Sequence, residues 1–365
     1  MKVIKKHNLS LIIPLIILNI ISLLNMVNAP IISSSHNNAF IKQFIWIILG
    51  YLLIFITKKI KFKNLVKYSW YLYIFSIILL IIVLFVGKDI NGAKCWINIF
   101  GISFQPSELV KLTMSLELIK IVNNTKCSVL KDEFKLLIKI LIITLIPSVL
   151  VFLEPDTGAI INYLIILLIT LVYSKLNKWW YIAFFTIFII GISSFFVMYF
   201  IYQDILIDLI GTSFFYRMDR ILNFANKNSY QLENALITIG SSSFVDFKYK
   251  QIKLYIPEAP TDFFFAFTIG NFGVLSAIII LICFLSINMF LLYKNNKTKN
   301  ISNKLFISIF LGLFIFHQIY NIFMNIGLLP IMGIPLPFLS YGGTNMLINY
   351  LFLGIILNLL NEKNI

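Results

Sequence analysis

The sequence predicts an all-α polytopic membrane protein of about ten transmembrane helices, with one large extracytoplasmic loop between the seventh and eighth. Three observations predict it. Hydrophobic residues make up 59% of the 365 and charged residues only 12%, about half the charged share of an ordinary soluble domain. The apolar residues fall in blocks of about 18 or more, long enough to cross the hydrocarbon as a helix. Lysines gather in alternate loops between those blocks, as the positive-inside rule requires.

Taken in order, the apolar segments run about 9–28, 40–57, 68–87, 106–123, 136–153, 158–174, 179–202, 262–293, 305–326 and 341–360. The first, behind Lys2, Lys5 and Lys6, reads as a retained span, because Pro30 directly after Val27-Asn28-Ala29 argues against cleavage there. With the amino terminus inside, the cytoplasmic loops hold Lys58, Lys59, Lys61, Lys63 and Lys67; Lys126, Lys131, Lys135 and Lys139; Lys175 and Lys178; and Lys294, Lys297, Lys299 and Lys304. The short outer loops hold only Lys42, Lys88 and Lys94. Both termini are then cytoplasmic, and the loop of about 203–261 lies outside. The net charge of +15 would fit a nucleic-acid binder in a soluble protein. Here it marks topology, and no motif that reads nucleic acid accompanies it. Cys95, Cys127 and Cys283 are scattered, with neither metal-ligand spacing nor a disulfide framework. No residue pattern identifies a cofactor, and a divalent cation is neither required nor excluded.

Charge outside the cytoplasmic loops is expensive near a bilayer, so it points to function. Gly92-Ala93-Lys94-Cys95-Trp96-Ile97-Asn98 leads into Gln105-Pro106-Ser107-Glu108-Leu109-Val110-Lys111. Ser107 has the character of an N-cap, with Glu108 favoured in the first turn. Lys111 follows Glu108 by three residues on the same face, an ion pair at the mouth of a span. Trp96 suits an interfacial anchor as well as a ligand wall. Glu154-Pro155-Asp156-Thr157-Gly158 reads as a capped turn between spans, with Asp156 the cap or a site residue.

Arg217 and Arg220 are the only arginines in a lysine-rich chain. A planar guanidinium grips phosphate bidentately where an ammonium does not, so the pair points to an anionic ligand. Asp262, in Pro257-Glu258-Ala259-Pro260-Thr261-Asp262-Phe263, stands where water meets a very apolar helix. It is either that helix's N-cap, a role open to Thr261 too, or a part-desolvated carboxylate suited to general base work. Between Gly327 and Gly343, three prolines and four glycines exclude a continuous helix.

In this order and spacing, the blocks FQPSELVKL, PEAPTDF and GIPLPFLSYGG resemble the SEDS family (shape, elongation, division and sporulation) over essentially the whole chain, read as one transmembrane domain of residues 1–365. QPSE, TIGS and GIPLP are more similar to its elongation branch. The resemblance implies a peptidoglycan glycosyltransferase of the inner membrane that polymerises lipid II during rod elongation. Its implied partners are a class B penicillin-binding protein and the elongation machinery. By the same resemblance Asp262 matches the catalytic aspartate, and Trp96, Glu108, Lys111 and Asp156 line one outer cavity. For such a reaction Arg217 and Arg220 would join Lys111 in neutralising the pyrophosphate leaving group. The chain departs from the family pattern at Cys95 (usually arginine), Pro260 (usually histidine), Gly270-Asn271 (usually acidic) and Ser241–Asp246 (usually glycine-rich). Two other classes compete: a flippase for lipid-linked precursor, which the resemblance also admits, and a degenerate scaffold for the penicillin-binding protein, which these departures favour.

Overall fold

The computed structural model describes residues 9–32, 36–90, 93–99, 102–125, 129–212, 230–247 and 255–360, with positions 215, 218 and 222 between them. Helices dominate because a helix satisfies its own backbone where water is absent. Even Ile-rich runs that would favour strands in water are helical here. The helices are α1 (Leu9–Met26), α2 (Ala29–Ile32), α3 (Ala39–Thr57), α4 (Phe62–Lys67), α5 (Ser69–Val86), α6 (Pro106–Asn124), α7 (Leu130–Leu153) and α8 (Thr157–Tyr173). After them come α9 (Lys178–Ile201), α10 (Gln203–Ile210), α11 (Tyr230–Gly240), α12 (Phe264–Phe272), α13 (Val274–Lys297), α14 (Ile301–Asn325) and α15 (Gly343–Leu359).

Seven helical segments among the described residues are long and apolar enough to cross a membrane: Leu9–Ile32, Ala39–Thr57, Ser69–Val86, Leu130–Leu153, Lys178–Ile201, Val274–Lys297 and Ile301–Asn325. The chain is a multi-pass membrane protein. Helices α8 and α15 are apolar but shorter, and α6 carries Glu108, Lys111, Glu117 and Lys120.

Two expectations need correction. The stretch between α5 and α6, read from sequence as a short outer loop of an all-α protein, carries strands: β1 (Lys88–Ile90), β2 (Ala93–Ile99) and β3 (Ile102–Phe104) form an antiparallel sheet in the order β1-β2-β3. This sheet rests on α5, α6 and α15. The span expected at 262–293 is two helices, α12 and α13, broken at Gly273, whose φ of 79° ends the first. The break is tolerated because the loop after α11 supplies the missing partners. Val274 N–H donates to Ser243 C=O (3.1 Å), Leu275 N–H to Phe244 C=O (2.9 Å), and Asp246 N–H to Phe272 C=O (3.2 Å).

Polar side chains staple the apolar bundle from within, as is usual where lipid offers no alternative partner. Tyr73 OH donates to Ile143 C=O (2.9 Å), Ser76 and Thr113 share a bond of 2.7 Å, and Asn19 Nδ2 reaches the Tyr350 hydroxyl at 2.7 Å. α3 packs on α15, closely enough that the Tyr350 ring lies directly over Gly50. In contrast α9 has a single buried residue, Tyr199; Trp180, Tyr181 and Phe184 pack part-buried on the core, and most of its other residues are exposed, which suits contact with lipid.

Candidate functional site

Pro106 opens α6, since proline at the first helical position lacks only an N–H that would be unbonded anyway. The N-cap is Gln105, with no side-chain cap bond, so Ser107 is not the cap expected from sequence. Its hydroxyl instead donates to Asp156 Oδ2 at 3.1 Å, beside Gln105 Nε2 at 2.8 Å. The other oxygen of Asp156 accepts Ala159 N–H at 3.2 Å and caps α8. Asp156 thus caps one helix and ties it to the mouth of another. Its pKa is raised, by burial first and by the Glu108 charge, against the bonds from Ala159, Ser107 and Gln105, which lower it.

One turn into α6, Glu108 and Lys111 form a buried ion pair at 2.7 Å. Asn345 Nδ2 on α15 donates to the same oxygen of Glu108 at 2.9 Å. This second bond satisfies a charge whose isolation in the interior would be costly. Glu154 is different. It is fully buried, and neither carboxyl oxygen has a hydrogen-bond partner among the described residues. Burial, and then the Asp156 charge, push its pKa up to about 8, so it stands as a neutral acid at pH 7.

Asp262 ends a turn in which Asp262 N–H and Phe263 N–H both donate to Glu258 C=O, at 3.0 and 3.1 Å. Neither Thr261 nor Asp262 caps α12: the N-cap is Phe263, without a side-chain bond. Thr261 Oγ1 bonds Glu258 Oε2 at 2.9 Å instead. The Asp262 carboxylate is therefore uncommitted, half-buried, and has no hydrogen-bond partner among the described residues. Burial, and then the Glu258 charge, push its pKa up to about 7.

The backbone beneath Asp262 is held firmly. Asn321 Nδ2 and Asn325 Nδ2, one turn apart on α14, donate to Asp262 C=O at 2.8 and 3.1 Å. Asn321 Nδ2 also reaches Ile334 C=O at 2.8 Å. Ser340 Oγ donates to Thr261 C=O (2.6 Å) and Tyr341 N–H to Pro260 C=O (2.8 Å). Glu258 and Phe338, on the two sides of this latch, have φ of 56° and 62°. That conformation costs a non-glycine residue about 1 kcal/mol or more, and persists only where surroundings enforce it.

The non-helical segment before α15 joins the two groups. A Cβ on Gly333 would lie 3.7 Å from Asp262 Oδ2, and one on Gly158 would lie 3.2 Å from Met332 C=O and 3.7 Å from Asp156 Oδ1. Met332–Ile334 is thus wedged between the Asp156 and Asp262 neighbourhoods. Trp96 lies half-buried in β2, opposite Lys88 in β1. Arg217 and Arg220 fall outside the described residues, as does Cys127. Sequence reasoning passed over the donors Asn321 and Asn325. Two asparagines at i,i+4 on an apolar helix were a signal, since each must find a partner in the interior.

Residues 5–365 match the family described as cell cycle protein, FtsW/RodA/SpoVE. The chain belongs to the FtsW/RodA/SpoVE family. A protein of Coxiella burnetii named probable peptidoglycan glycosyltransferase FtsW is 31% identical over 88% of this chain and 86% of its own length. The Helicobacter pylori peptidoglycan glycosyltransferase MrdB is 28% identical over 88% of this chain and 82% of its own. Among solved structures, one described as showing structural coordination of polymerization and crosslinking by a peptidoglycan synthase complex superposes with a TM-score of 0.76 at 22% identity. It covers 96% of this chain and 97% of that one. Thermus thermophilus RodA gives 0.65 at 24% identity, covering 96% of each chain. At those identities the likeness is one of fold: this chain has the FtsW/RodA/SpoVE architecture.

Proposed function

We propose that the chain is a peptidoglycan glycosyltransferase that polymerises lipid II, with Asp262 as general base. The single observation that carries this reading is the state of Asp262. Its carboxylate has no hydrogen-bond partner among the described residues, is partly dry, and titrates near neutrality on a backbone held by bonds from Asn321, Asn325, Ser340 and Tyr341. A base is most effective when its pKa lies close to the working pH. The acceptor sugar hydroxyl gives its proton to Asp262 as its oxygen bonds the donor's anomeric carbon. The bond from that carbon to pyrophosphate breaks, and its electron pair leaves with the polyprenyl pyrophosphate. Attack opposite the leaving group converts an α-linked donor into a β-1,4 product. Lys111, Arg217 and Arg220 offset the growing negative charge, while Trp96, Glu108 and Asp156 wall the site.

In this reading the bundle crosses the membrane ten times, with α6, α8 and α15 completing the seven longer spans. Both termini face the cytoplasm, and the loop around 203–261 lies outside with Asp262. The class B penicillin-binding protein is the crosslinking partner, in keeping with the polymerization and crosslinking complex that shares the fold. The elongation role rests on the QPSE, TIGS and GIPLP wording. Relatives named FtsW and MrdB stand at 31% and 28% identity, so complementation of a division or an elongation mutant decides between the two.

The test is polymerisation of labelled lipid II by the purified chain with its partner. Asp262→Asn is expected to lower the rate by at least about a hundredfold, the scale of one lost acid–base residue, with unchanged expression. Undiminished polymerisation removes Asp262 from the mechanism. Lipid II translocation in vesicles that survives this variant favours the flippase, and rescue of rod shape by it favours the scaffold.

A further inference from the structure

Beside Asp262 lies an aromatic pair that the reading above leaves unused. Tyr341 is half-buried in the segment before α15, and its N–H is bonded to Pro260 C=O, two residues from Asp262. The His36 ring, from the connection between α2 and α3, meets it in a T-shaped contact, with centroids 5.7 Å apart and planes at 76°. A contact of that kind steadies the Tyr341 ring and covers at most one of its faces. The half-buried ring keeps part of its surface open. The Tyr341 hydroxyl has no hydrogen-bond partner among the described residues. The Glu258 carboxylate faces His36 electrostatically and accepts the Thr261 hydroxyl, which gives the pair a polar rim.

These are the parts of a sugar subsite. The C–H face of a pyranose packs against an aromatic ring, while its hydroxyls need donors and acceptors around the edge. A polyprenyl tail would call for an apolar rim, and Glu258, Thr261 and Asp262 supply the opposite. We infer that Tyr341, braced by His36, is a shelf for a pyranose of the growing glycan, a subsite for the acceptor strand beside Asp262. The inference rests on the glycosyltransferase reading and names the ring that holds the acceptor.

Two measurements on the full chain keep shelf and reaction apart. The first titrates chitotetraose, a soluble β-1,4 amino-sugar oligomer, and follows binding by saturation-transfer NMR. Tyr341→Leu is expected to weaken it by about fivefold or more, the scale of a lost ring contact, and Tyr341→Phe by about twofold at most. The second reads glycan length on a gel after lipid II polymerisation: Tyr341→Leu shortens the strands, and Tyr341→Phe restores them. If Tyr341→Leu lowers the melting temperature, His36→Leu against His36→Phe carries the same comparison. No binding of millimolar chitotetraose by the wild type overturns the shelf, as does equal loss, or no loss, in the Leu and Phe variants. Chitotetraose binding through Tyr341 in a chain that polymerises nothing keeps the shelf and removes the glycosyltransferase. Wild-type strand length in Tyr341→Leu does the reverse.

Discussion

Glu154 and Asp156 stand two residues apart, yet among the described residues only Asp156 has hydrogen-bond partners. Asp156 is held by three donors, whereas Glu154 is buried with none. Glu154 keeps its proton up to about pH 8 when folded, against an ordinary value of 4.5. The linkage sign follows directly. Between those values the unfolded chain has lost a proton that the folded chain retains, so stability falls as pH rises from about 4.5 to about 8 and is level beyond. The ceiling of this effect is about 5 kcal/mol, from the gap between the two values. Glu154→Gln keeps the shape without the ionisation. It is expected to raise the melting temperature in detergent at pH 7.5 and to leave it nearly unchanged at pH 4.5. An equal shift at both pH values would show that the carboxyl is not held neutral. At this scale much was legible: the i,i+3 spacing of Glu108 and Lys111 anticipated their ion pair, and Asp156 was read as a cap or a site residue and does cap α8. Ser107 was misread as a cap because the local pattern favours it. Only the fold reveals that Asp156 offers its hydroxyl a better acceptor.

Element boundaries were harder to read, and Gly273 shows why. An apolar run on both sides of one glycine looks like a single span, and hydropathy carries no information about a φ of 79°. The partners that make the break tolerable, Ser243, Phe244 and Asp246, lie almost thirty residues upstream. A Cβ at Gly273 would come within 2.7 Å of the Ser243 and Phe244 carbonyls, and backbone atoms cannot move aside cheaply. Gly273→Ala is therefore expected to destabilise the fold by about 2 kcal/mol or more, adding overlap to left-handed strain. A drop of several degrees in melting temperature would register it; a neutral outcome would mean that α12 and α13 are continuous in the membrane. The β1–β3 sheet was unreadable for a related reason. Its strands are three to seven residues long, too short for alternation to stand out. The segment from Gly327 to Gly343 was legible as non-helical from its prolines and glycines alone. Its grip on Thr261 and Asp262 was not, because those contacts bridge parts of the chain far apart in sequence.

The whole molecule is where sequence spoke most clearly, because composition and lysine placement are summed over many residues. That asymmetry makes an orientation prediction. In a background without native cysteines, a cysteine at Asn64 should react with an impermeant maleimide only after the membrane is opened, and one at Ser242 in intact spheroplasts. The opposite pattern would put Asp262 in the cytoplasm and separate it from any outer substrate. The site itself is assembled by the whole bundle, with Asp262 set by α14 and by the segment preceding α15. The most direct measurement is the initial rate of lipid II polymerisation against pH. As the proposed base, Asp262 would act in its ionised form, so the rate should climb with a midpoint near pH 7 and level off above it, falling away on the acid side. A rate that is flat from pH 5.5 to 8.5, about three units around that midpoint, would contradict Asp262 as the base.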